Sequence, residues 1–257
     1  MTTSMAFSMT GAEVLRLRRR RGLMIWILVL TLGVVVAYFA SLEIRHIASP
    51  AVHPPAGGVR SLYHLMDNYS LVAALAGILI GATAGTADRD SGVFRDLVTT
   101  GRSRLALFLV RVPGVLLVLL PAVLAACVLA GACSRLLAGP LPVPGVSIIA
   151  HYTGWIITVA TLDAILALGL ASLSGSRGIT IGVLVGYEAI ATPVLRGISA
   201  LGPVRAALSG AATARLEPAG DSPYPVPMSL LTAGLVIGVW AVAALALGAW
   251  RTRSCDA

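Results

Sequence analysis

Lysine is absent from the chain: all 19 basic residues among its 257 are arginines. Chemistry that needs a lysine amine is excluded with it, including the P-loop G-x-x-x-x-G-K-[ST], whose lysine reaches the nucleotide phosphates. If ATP drives this protein, another chain must bind it. Charge of either sign is scarce too. Only 12% of residues are charged and 57% are hydrophobic, against roughly 25% and 45–50% in ordinary soluble domains. That argues against a water-soluble fold. Aromatics make up 5%, so the apolar excess is Ala, Leu, Val, Ile and Gly, which pack helices closely in lipid.

Motifs of site chemistry are missing as well. Cys127 and Cys133 share one apolar segment and Cys255 lies at the tail, with no disulfide framework and no C-x-x-C. His46, His53, His64 and His151 lack metal-ligand helical spacing and read as loop and span-end residues. Neither H-E-x-x-H nor G-x-S-x-G occurs, so an intramembrane hydrolase has no candidate metal or nucleophile. A net charge of +8 raises the question of nucleic acid. The arginines sit in short clusters between apolar runs, however, and no aromatic stacking platform accompanies them. The sequence therefore implies no nucleic-acid partner.

What is present is a series of long uncharged stretches: 23–42, 68–87, 112–134, 148–176 (interrupted by His151 and Asp163), 178–195 (containing Glu188) and 228–250. About 20 apolar residues cross a ~30 Å hydrocarbon core. The first stretch exceeds a signal peptide's apolar region and reads as a retained span. The expected fold is all-α and integral to the membrane: a six-helix transmembrane bundle, one domain over 1–257, with an interfacial N-terminal helix. In that helix Phe7, Val14 and Leu15 share a face ahead of the run Arg16, Arg18, Arg19, Arg20, Arg21. Basic loops stay cytoplasmic. With an inside N-terminus, 13 arginines lie inside and 6 outside, summing to 19, so both termini are expected in the cytoplasm. The longest outer segment, 196–227, holds an Ala-rich stretch around Ala206 to Arg215 that suits a short helix dipping into the outer leaflet, followed by a Pro-broken return.

Two glycine stripes run at i, i+4, i+8: Gly77, Gly81, Gly85 in the second span and Gly178, Gly182, Gly186 in the fifth. Such stripes let helices meet backbone to backbone. They serve either packing within the chain, or a subunit interface, or the lining of a path. The segment 88–104 between the second and third spans is the most distinctive. Asp90 or Ser91 can cap a short helix, Val93, Phe94 and Leu97 give it an apolar edge, and Thr100-Gly101 stops it. With Arg95 and Asp96 around that edge, it reads as a docking element at the cytoplasmic surface.

Here the chain resembles the ABC-2 type permeases, the membrane subunits of ATP-binding cassette exporters. Their first cytoplasmic loop typically reads acidic cluster, Gly, short apolar helix, Leu, Ser/Thr-Pro and a basic residue. Asp88, Asp90, Gly92, Phe94, Leu97, Thr100 and Arg104 match in order, with Gly101 where proline is usual. The resemblance extends to the arginine-rich N-terminus, the six spans and the long outer loop before the sixth. It implies an exporter subunit without its own ATPase site. Such a subunit pairs with a second permease copy or paralogue and rests its loop helix on a separate ATPase subunit that carries ATP and Mg. It also implies that the second and fifth spans contribute to the transport path. Arginine-only usage with abundant Ala and Gly suggests a GC-rich genome and a bacterial plasma membrane.

Asp163 and Glu188 lie inside spans, where a central charge costs roughly 2.5–3.5 kcal/mol on insertion scales. They are either proton carriers or contacts for a cationic substrate, or else neutral partners holding helices together, with Thr158, Tyr187 and Thr192 as nearby partners. The first option supports an alternative function, a proton-coupled secondary transporter using Asp163 and Glu188.

Overall fold

The computed structural model describes residues 3–91, 104–218 and 225–254. Among them there is no strand, and six helices are long and apolar enough to cross a membrane. The chain is a multi-pass membrane protein. After α1 (Thr3–Arg19) come α2 (Arg21–Ala48), α3 (Val59–Ser91), α4 (Arg104–Leu136), α5 (Val146–Ser174) and α6 (Arg177–Gly197). A 3-10 turn over Ser199–Ala207, a short α7 (Ser209–Arg215) and α8 (Leu230–Ser254) complete the fold. The second apolar run is thus carried on a helix that begins at Val59, ahead of Asn68, and this brings Asp67 onto the span.

The core is built on α3 and α5, whose most apolar windows are 72% and 67% buried, whereas those of α6 and α8 are 17% and 6% buried. A helix that is apolar on most sides belongs in the middle of a bundle, and α5 has buried residues over most of its circumference from Tyr152 to Ala171, apart from the stripe of Gly154, Thr158, Thr161 and Ile165. Leu, Val and Ile on the outer helices, such as Val183, Leu235 and Val239, remain exposed. Lipid tails solvate such surfaces as well as a protein core would.

Glycine sets the closest approach. A Cβ on Gly77 would meet the Ala160 carbonyl, one on Gly81 the Ala164 carbonyl, and one on Gly85 the Ala171 methyl and the Leu168 carbonyl. The first stripe therefore seats α3 along α5, the two helices running parallel. Gly169 brings α5 against Ala244 of α8 in the same way. By contrast Gly178, Gly182 and Gly186 have nothing within 4 Å.

The turn from α5 to α6 is two residues. Gly175 ends α5 in the left-handed region (φ 69), which costs glycine little. Ser176 then caps α6, its hydroxyl accepting from the Ile179 N–H at 3.4 Å.

On α1 a second face packs against the protein, beside the one that carries Phe7 and Leu15. Phe7 and Leu15 are exposed, and the side turned to the protein is Met9, Glu13 and Leu17. Glu13 lies against Gly114 of α4, and Arg16 reaches its carboxylate at 3.5 Å. Four-residue spacing with an acid in the middle escapes a reading that counts only apolar residues. Near the same end Gly248 of α8 touches Phe108 of α4, so α1 and the C-terminal part of α8 share one end of the bundle.

Candidate functional site

Proline breaks α6 where it matters. Pro193 has no N–H to offer the Ala189 carbonyl and its ring crowds it, and the turn before it, Tyr187–Ala191, widens to a π-helix. Such wide turns in α-helices recur at functional sites. Glu188 sits on this one. Four and eight residues on, Thr192 and Arg196 continue a polar stripe down the same side of the helix.

The stripe faces a cavity of about 450 Å³ between α3, α5, α6 and the α7 region. Asp67 borders it from α3, Trp155 from α5, Glu188, Thr192 and Arg196 from α6, and Glu217 from just past α7. A second cavity of about 490 Å³ shares Arg196 and Glu217 and is bounded beyond them by Pro225 and Met228. Arg196 and Glu217 interact electrostatically, so this pair stands between the two spaces. Arg196 also feels Glu188.

Asp163 lies behind the cavity, 3% exposed, with one carboxylate oxygen lacking a hydrogen-bond partner. It interacts electrostatically with Glu188, so the fold brings the two intramembrane acids together. Two carboxylates at short range repel when both are charged. None of the neutral partners expected for them is bonded to either. Thr158 donates to the Gly154 carbonyl at 2.8 Å, Tyr187 pairs with Ser209 at 2.9 Å, and the buried Thr192 hydroxyl has no hydrogen-bond partner.

The lid over the cavity lies between α6 and α8, and α7 is indeed a short helix within it. Its buried face, Ser209 to Ala212, is anchored from three sides. Trp155 Nε1 donates to the Thr213 carbonyl at 2.8 Å, the Tyr187 and Ser209 hydroxyls meet, and Arg215 Nε donates to the Met228 carbonyl at 2.9 Å. Gly210 lets α7 press onto Thr192, whose methyl occupies the place a Cβ would take. Trp240 of α8 donates to the Ala207 carbonyl at 2.8 Å and holds the preceding turn.

Neither glycine stripe lines the cavity: the first is consumed in the α3–α5 contact and the second faces open space. Asp67 and Glu217 carry no signal of their own in the sequence, and Arg196 enters it only as the first residue of the segment 196–227. The spacing of Glu188, Thr192 and Arg196 was the visible signal for part of the site. Of the predicted docking residues, Gly92, Val93, Phe94, Arg95, Asp96, Leu97 and Thr100 lie outside the described residues, and Asp90 and Arg104 are placed only as ends of α3 and α4. Among the described residues no three of His, Cys, Asp and Glu gather to hold a metal.

No protein-family model matches the chain, and no curated protein matches it.

Proposed function

We propose that the chain is the membrane-spanning permease subunit of an ATP-binding cassette exporter in a bacterial plasma membrane. It works as a dimer and is powered by a separate ATPase subunit that holds ATP and Mg. The observation that carries this reading is the polar cavity between the second and fifth spans, the two spans that the resemblance assigns to the transport path. The absence of lysine supports it, because the chain cannot build a P-loop of its own. So does the position of the segment 92–103, which joins α3 to α4 at the same end as the arginine-rich α1. From there the apolar edge of Val93, Phe94 and Leu97 would rest on the ATPase, and closure of the ATPase pair would push on α3 and α4.

The experiment is a gentle purification of the tagged chain from its host, mass spectrometry of what accompanies it, and an ATPase assay on the complex. A stoichiometric P-loop protein is expected, lost on Leu97→Asp, with transport abolished while the variant still inserts. Normal transport by an inserted Leu97→Asp protein would overturn the docking element. An ATPase-free oligomer that moves substrate down a proton gradient would overturn the exporter and leave the Asp163–Glu188 pair as the engine.

A further inference from the structure

The cavity around Glu188 combines features that a structural void does not need. Its wall carries three carboxylates, on Asp67, Glu188 and Glu217, and one guanidinium, on Arg196. With Glu188 charged the sum is −2, and with Glu188 neutral it is −1, so the space is electronegative in either state. Few other charges in the chain offset that field. The rest of the wall mixes the hydroxyl residues Ser70, Thr192 and Thr213 with the apolar Leu71, Val159 and Trp155. An aromatic face attracts a cation that comes within about 6 Å of its centre. The volume also lies within the roughly 300–1,000 Å³ of small-molecule sites.

We infer that this cavity is a binding site for an organic cation with an apolar body, its positive centre set among Asp67, Glu188 and Glu217 and its body against Trp155, Leu71 and Val159. The site belongs to this chain alone and holds whether or not an ATPase powers transport. Arg196, on the same wall, sets its selectivity, since its guanidinium repels a dication more strongly than a monovalent ligand.

The test uses the full chain in phosphatidylcholine nanodiscs, without any partner, and two probes of one shape and opposite charge: tetraphenylphosphonium and tetraphenylborate. Equilibrium binding is read against empty nanodiscs. Saturable binding of tetraphenylphosphonium is expected, with none of tetraphenylborate beyond the lipid background. Removing one charged contact with Asp67→Asn or Glu217→Gln weakens Kd about tenfold. Thermal unfolding of each variant checks that it is folded, and Glu217, half-buried outside the spans, is the substitution least costly to the fold. Three results would each overturn the site: no saturable cation binding by the folded wild type, equal binding of the borate, or an unchanged Kd in both folded variants. Because no ATPase is present, these outcomes are separate from failure of the exporter reading.

Discussion

Gly81 and Gly182 are the same residue at the same four-residue spacing, yet the fold uses them differently. The first lies against the Ala164 carbonyl and the second against nothing within 4 Å. Gly81→Leu forces side chain into backbone and should destabilise the protein by at least about 1–3 kcal/mol. Gly182→Leu should stay within about 0.5 kcal/mol. Thermal unfolding in detergent, followed by tryptophan fluorescence, separates them, and equal effects would refute the assignment of the first stripe to the α3–α5 contact. Sequence could not make this distinction, because a period of four identifies a face and not what the face meets. The same limit explains the acids. Asp163 and Glu188 stood out because a charge inside an apolar run is conspicuous. Asp67, just before such a run, and Glu217, in a polar loop, are ordinary where they stand and become unusual only when folding sets them around one space.

At the scale of elements, helices were easy to read where lipid dictates composition and hard where other helices do. The break between α5 and α6 was legible in Arg177, the charge between two uncharged runs, and the fold makes it with a left-handed Gly175 and a capping Ser176. The buried side of α1 was not, because Glu13 sits in its middle. The short α7 was legible from its alanines, but its depth was not. Seven residues are too few to hold a helix in water, so α7 persists through its tethers, and Trp155 supplies the one from the central helix. Trp155→Phe deletes that donor while preserving most of the packing. The net loss of about 1–1.5 kcal/mol should raise hydrogen exchange of the amides over 209–215 about tenfold relative to those of α5. Unchanged exchange would mean that Ser209 and Arg215 suffice to hold the lid.

For the whole molecule the open quantity is its orientation. Because α2 and α3 cross in opposite directions, the segment 92–103 and α1 belong to one end, and the residues between α2 and α3 to the other, with α7. Arginine placement, thirteen against six, is the ground for expecting the α1 end in the cytoplasm, since arginine near span ends is what insertion reads. Single cysteines decide the matter in a background where Cys127, Cys133 and Cys255 are replaced. Val52, 75% exposed beyond α2, and Phe7, 76% exposed on α1, provide the two sites. Val52→Cys should react with a membrane-impermeant maleimide on intact cells, and Phe7→Cys only after permeabilisation. The opposite pattern would place the segment 92–103 outside, where no ATPase can reach it, and would turn the cavity of Glu188 and Glu217 toward the cytoplasm. The exporter reading would then fall, while the cation site, which depends only on the charges lining its wall, would stand and take its ligand from the other side.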